Sequence, residues 1–326
     1  MALHRTGAGI MKTTVQSPRS PDAGTVGKGL RTPVVIAVVE VGREPVCLAL
    51  AAQGSVACVC NTEDSTLMLV DTTAHRVSAV ISLPIRPLAV VIDPTSTRAY
   101  AAGLGKPLVV VIDIPARKVI DTIAASEGQA MAISAGGERI FINANSPTNG
   151  QIGVIDTASA RLLDTIDAGP FTSAAVLSED GRLFHCDYLH HELKVMDTLT
   201  AEISTVLSLP EPFEEMALSP EGDFGYVPYR TTAGIVVKID LSSYDVVDWL
   251  PVPALPHGFT LSPDGGLACC CSAAERSVSI IDTGTWQVIS RFQAGEYPQA
   301  PVFSADGKRL YICDSSGDAV WVIALD

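Results

Sequence analysis

The sequence predicts an all-β protein, a seven-bladed β-propeller of four-stranded blades, and three observations predict it. Aspartates that end an alternating apolar strand recur at Asp71, Asp113, Asp156, Asp197, Asp240 and Asp282, in steps of 42, 43, 41, 43 and 42 residues, and a seventh step lands on Ala324 inside WVIAL. A second marker, the turn after each unit's first strand, recurs at Ala51, Asp93, Ser134, Ser178, Ser219, Ser262 and Ser304, in contexts such as SEDG, SPEG, SPDG and SADG. A fixed period of this size marks stacked supersecondary units, and seven markers make seven units. Each unit also holds short alternating or wholly apolar runs between Gly, Pro, Asp, Ser and Asn, with no helical period. Four such strands per unit of roughly 40 residues, set in a ring, make a propeller.

Residues 1–32 hold no apolar stretch long enough for a secretory leader and are rich in Gly, Ser, Thr and Pro, so they are expected to form a disordered tail. The tail carries Arg5, Lys12, Arg19, Lys28 and Arg31 against Asp22. Its net charge of +4 leaves −18 on the body, out of −14 in total. The folded domain is expected over residues 33–326. Its first strand, Val34 to Gly42 (VVIAVVEVG), has the pattern of a fourth strand yet precedes the first complete unit. The seventh unit shows three strands, so the N-terminal strand is expected to complete it, closing the ring and covering the edges that a linear array would leave.

The tracts LSPDG…LACCCS…VSIIDT, FSADGKRLYICDSSGDAVWVI and LSPEGDFGYVPY…VVKIDL resemble the YVTN-type β-propeller repeats, which are WD40-like units with an SPDG turn, a Tyr-containing strand and a V-x-VID strand. The resemblance runs over residues 34–326. It implies the fold. It leaves activity open, because such propellers include surface proteins, binding modules and relatives of propeller lactonases and lyases. Members are often exported; this chain shows no export signal and is expected in the cytoplasm.

Charge and motif content narrow the function. A body this acidic repels nucleic-acid phosphates, and no run of 18 apolar residues is present to span a membrane. A propeller is one domain whose core is distributed between neighbours, and a ring that closes on itself is expected to be monomeric. There is no G-x-S-x-G, H-E-x-x-H, phosphate-cradling G-x-x-x-x-G-K or dinucleotide fingerprint, and no C-x-x-C-H for haem. No cofactor is evident, although Glu44, Glu127, Glu214 and Glu215 could together hold Mg²⁺ or Ca²⁺ through oxygen ligands and water. Of eight cysteines, Cys58, Cys60, Cys269, Cys270, Cys271 and Cys313 fall on the predicted second strands. They read as reduced packing residues.

Function should lie where the repetition breaks, on the rim opposite the regular turns; this placement is an analogy with other propellers. Five residues before each turn marker stand Val46, Leu88, Gln129, Ser173, Glu214, His257 and Gln299, a column that turns polar from the third blade. Seven before it stand Glu44, Arg86, Glu127, Phe171, Pro212, Leu255 and Tyr297. Four before it the residue is small in every blade except the fifth, which has Glu215. A glutamate beside the axis needs a partner. The loops add Tyr188, His190 and His191 in blade 4, Tyr229 and Arg230 in blade 5, and Asp314 and Ser315 in blade 7.

Histidine exchanges a proton near neutral pH and a carboxylate orients it. The predicted catalytic set is therefore His257, Glu214, Glu215 and His191, with Glu214 orienting His257. Arg86 or Arg230 would hold an anionic group. Gln129, Tyr188, His190, Tyr229, Tyr297 and Gln299 would frame a small polar molecule undergoing elimination, isomerisation, cyclisation or lactone opening. The alternative is a non-catalytic platform for a protein partner or a sequestered ligand. His185, standing where other blades place Tyr, Phe or Cys, reads as a buried structural histidine.

Overall fold

The structure, a computed structural model, describes residues 33–144 and 146–325. The predicted tail of residues 1–32 lies outside the described residues. The described residues form twenty-eight strands and no helix, so none of them makes a helix long and apolar enough to cross a membrane. The strands pair into seven four-stranded antiparallel sheets, each from consecutive strands except the last. That sheet joins Pro298–Phe303, Arg309–Asp314 and Ala319–Ala324 to Val34–Glu40. The N-terminal strand lies antiparallel to Ala319–Ala324, from Val34 opposite Ala324 to Glu40 opposite Ala319, and the ring closes as the repeat pattern requires.

The periodic residues make the turns. Each strand-ending aspartate accepts hydrogen bonds from its own turn: Asp71 Oδ1 takes the Thr73 and Ala74 N–H groups at 2.9 and 2.8 Å, and Asp282 Oδ1 takes that of Thr285 at 2.7 Å. This Asx geometry satisfies donors that the hairpin leaves without a ladder partner. On the same rim the SPDG serine acts as acceptor and donor at once. Ser262 Oγ accepts from Leu267 N at 2.9 Å and donates to Asp264 Oδ1 at 2.6 Å, and Ser304 repeats this with Arg309 and Asp306. The turn glycine holds φ of +69° in both blades, a conformation open to glycine at no steric cost.

The core lies in the seams between sheets. Seven apolar clusters each bridge two neighbouring blades, so every blade depends on both neighbours for burial. Each third-to-fourth strand pairing carries a register shift, as at Leu69/Val70 and Lys238/Ile239, which adds twist to the outer strand.

Candidate functional site

Blade 5 is where the repeat fails. Inner strands elsewhere run four to seven residues, whereas that of blade 5 is reduced to Ala217–Leu218. The reason is legible in the backbone. At the equivalent place in blade 3 the Asn143 carbonyl accepts the Gln129 N–H at 3.1 Å, so the peptide group there faces the inner strand. Blade 5 has Pro228 at that place, with no N–H to offer, and Pro210 and Pro212 remove two more donors upstream. The segment leading to Ala217 is anchored instead by Phe213, which is fully buried in the seam between blades 4 and 5.

Freed from the ladder, two glutamates turn to other partners. Glu214 Oε2 accepts from Arg230 Nη1 at 2.7 Å. Glu215 reaches across to blade 6, where its Oε2 accepts the Gly258 N–H at 2.7 Å and its Oε1 lies 3.3 Å from His257 Nε2. The expected Glu214–His257 pair is thus replaced by Glu215–His257, because Glu215 occupies the column that comes within reach of the neighbouring blade's backbone. That column is small in other blades for a steric reason. Gly258 holds φ +89°, and a Cβ there would meet Pro301 Cδ at 2.6 Å and Ala300 N at 2.9 Å.

The two pairs are joined by blade 7. Tyr297 stands near the Arg230 guanidinium and helps to raise its pKa, and its ring meets the imidazole of His257 edge-on, with centroids 6.0 Å apart. Burial lowers the Arg230 pKa, but Glu214 and then Tyr297 outweigh it and hold the guanidinium above its usual value. The imidazole is mostly covered, at 21% exposure. Its Nδ1 is out of solvent and has no hydrogen-bond partner among the described residues. Beside the carboxylates lies an axial cavity of about 370 Å³ lined by Gln129, Thr172, Ser173, Glu214, Glu215 and, at its floor, Met216 and Phe259. A larger cavity of about 820 Å³ lies among the regular turns of the opposite rim. We take the smaller one as the candidate site, because Glu214 and Glu215 line it and each is paired behind it, Glu214 with Arg230 and Glu215 with His257.

The chain aligns with other propellers. It is 23% identical over 313 residues to the seven-bladed β-propeller protein Rv1057 of Mycobacterium tuberculosis, which spans 83% of this chain and 79% of that protein. The fold is that of the YVTN-type seven-bladed β-propellers. The uncharacterized protein YncE of Salmonella typhimurium is 27% identical over 191 residues, 56% of this chain and 53% of that protein; the match thus spans about half the length of that relative. Among solved structures, hydrazine synthase of Kuenenia stuttgartiensis superposes with a TM-score of 0.77 at 17% identity, over 86% of this chain and 95% of that chain. At that identity the likeness is one of fold. No family model matches the chain.

The propeller places the remaining predicted residues elsewhere. His191 is a turn residue with φ +55° whose carbonyl accepts the Leu209 N–H at 2.8 Å. His190 Nδ1 lies 3.0 Å from Asp187 Oδ2, which also binds Lys194 Nζ at 2.7 Å. Burial raises the Asp187 pKa, yet the Lys194 and His190 contacts hold it below the usual carboxylate value. Asp187 and Asp314 share one role: Asp314 Oδ1 accepts the N–H groups of Glu296, Tyr297 and Gly317 at 3.0, 2.9 and 3.1 Å, which fixes the loop carrying Tyr297. Tyr188 is exposed. Tyr229 is buried in the seam between blades 4 and 5, where desolvation pushes its phenol pKa up. It is a wedge, and no part of the cavity wall.

Gln299 is also buried, with Nε2 3.4 Å from the Pro45 carbonyl. Arg86 is engaged by Glu63, with Glu44 at 4.0 Å, and Glu127 accepts the Gly105 N–H at 3.0 Å. Among the described residues no three His, Cys, Asp or Glu side chains are placed to hold a metal ion. Seven of the eight cysteines are buried and all are free. Desolvation drives their thiols up where a shift is resolved, Cys58 to about 12, far from thiolate reactivity. His185 is fully buried, with Nδ1 3.0 Å from Thr172 Oγ1. Phe259, Met216, Thr172, Ser173 and Val176 line the chamber without having been among the predicted site residues; of these, Ser173 carried a signal, as a member of the polar column.

Proposed function

We propose that the rim of blades 5–7 is a small-molecule site for acid–base chemistry, of the elimination, isomerisation, cyclisation or lactone-opening kind. The observation that carries this reading is the His257–Glu215 pair beside the axial cavity. With Nε2–H donating to Glu215, Nδ1 carries a lone pair that no described residue occupies; it is out of solvent, so it serves as general base once substrate entry moves the imidazole into reach. Glu215 is the positioning residue, since it selects the tautomer, and the Gly258 N–H keeps its carboxylate in place. Arg230 and Tyr297 stand behind Glu214 and His257, outside the cavity lining. Arg230 is committed to Glu214, so its part is to hold that carboxylate in place.

The test is turnover of a panel of small lactones and β-hydroxy carbonyl compounds by wild type, His257→Ala and Glu215→Gln. Wild-type turnover should follow the ionisation of one group. It should fall by about 10² or more in His257→Ala, the range for a general base, and by less in Glu215→Gln, with an altered pH profile. Turnover that survives unchanged in His257→Ala would overturn the assignment.

A further inference from the structure

The charges around the axial cavity select one class of ligand, an inference that rests on reading this rim as a small-molecule site. The two carboxylates that line it, Glu214 and Glu215, have no cation beside them in the lining. The nearby guanidinium of Arg230 is already held by Glu214. The other arginine considered for substrate capture, Arg86, is engaged by Glu63. An anionic substrate would therefore displace an existing ion pair and face two carboxylates in a body of net charge −18, so the sequence expectation of an arginine-held anion is not what this geometry favours.

What remains unfilled has the opposite character. Glu214 Oε1 accepts no hydrogen bond from a described residue, since Arg230 takes Oε2. Ser173 lines the same cavity, and its Oγ is out of solvent without a partner among the described residues. Phe259, only 9% exposed, forms part of the floor with Met216 and Val176. A carboxylate oxygen, an unused hydroxyl and an aromatic ring together answer an ammonium group attached to an apolar body: the first two accept its N–H groups, and the ring accommodates cation or hydrocarbon. The acidic body adds a field that draws cations toward the rim.

We infer that the axial chamber receives a small organic cation, its ammonium on Glu214 and Ser173 and its apolar part over Phe259. The experiment is calorimetric titration with benzylamine, benzyl alcohol and benzoate, which share one skeleton and differ in charge, repeated in Glu214→Gln and Ser173→Ala. Benzylamine should bind saturably at one site, at least about tenfold more tightly than benzoate, and more weakly as salt rises. It should lose about tenfold in Glu214→Gln and less in Ser173→Ala. Tighter binding of benzoate that responds to either substitution would overturn the cation assignment while leaving the small-molecule site standing. Benzylamine binding that ignores both substitutions would place the cation on the acidic surface and overturn the assignment. Flat titrations with all three probes would remove both the cation and the small-molecule reading of the chamber.

Discussion

Among the arginine–glutamate pairs on one rim of the ring, two differ in what stands behind them. Arg86 meets Glu63, with Glu44 at 4.0 Å, and all three side chains are nearly half exposed. The inner strands beneath them, Pro45–Leu50 and Arg86–Ile92, are whole. Arg230 meets Glu214 over an inner strand that has shrunk to two residues. The same residue types at the same level thus form a solvated pair on blades 1 and 2, and on blade 5 a pair whose glutamate lines the axial cavity. Where the backbone leaves the ladder, adjacent side chains are free to face the axis and the next blade together, as Glu214 and Glu215 do.

The largest expected effect tests what holds the unpaired segment. Phe213 is fully buried among residues of blades 4 and 5, so its packing replaces the strand pairing that Pro228 prevents. Phe213→Ala should cost about 3–5 kcal/mol by transfer and cavity formation, measured by urea unfolding with unchanged m-value. A loss near zero would mean that the segment collapses freely and that Phe213 is no anchor.

Next in size is a pH effect one blade away, where polarity is buried without a site. Burial first, and the Lys194 charge second, lower the His185 pKa from 6.5 to about 4, against a smaller raising effect of Asp187. Between those values the unfolded chain binds a proton that the folded chain does not, so stability rises with pH and is lost as pH falls from 6.5 toward 4. The full loss is about 3 kcal/mol at 1.36 kcal/mol per unit. In His185→Phe, which restores the aromatic seen at that position in blade 3, the slope of stability against pH over this window should flatten whatever the change at neutral pH. Titration of the wild type through the window without loss of stability would show His185 to be hydrated.

These outcomes explain which parts of the molecule could be read in advance. The blades were legible because their turns use local chemistry. Asp71 or Ser262 bonds its own neighbours within five residues, so spacing alone reports it. The closing strand was legible because Val34–Glu40 repeats the fourth-strand pattern. On the candidate rim, the columns pointed to Glu214, Glu215, His257 and Tyr297 and the loops to Arg230, and the structure brings these near one another, with Glu215 in place of Glu214 as the partner of His257. Which of two adjacent glutamates crosses to Gly258 depends on the path of an irregular segment, and no period describes that path. Tyr229 and Gln299 were misjudged for a related reason: a polar or aromatic residue at a rim position points into a seam or into the funnel by small rotations of a loop, and both orientations give the same sequence pattern.

The smallest expected effects sharpen the opening contrast. Glu215→Ala removes the acceptor of the buried Gly258 N–H, and an unsatisfied buried donor costs about 1–3 kcal/mol. The His257 contact adds little more at 3.3 Å between partly exposed side chains. Glu63→Ala removes a pair in which both side chains are close to half exposed, and such a pair contributes within about 0.5 kcal/mol. Thermal unfolding of both variants in parallel, with salt varied, separates the two cases. The Glu215→Ala loss should persist at high ionic strength because a backbone hydrogen bond carries it, while any Glu63→Ala loss should fade with screening. Equal, salt-sensitive losses would mean that Glu215 is only another rim charge, and that the broken strand of blade 5 confers no special environment on it.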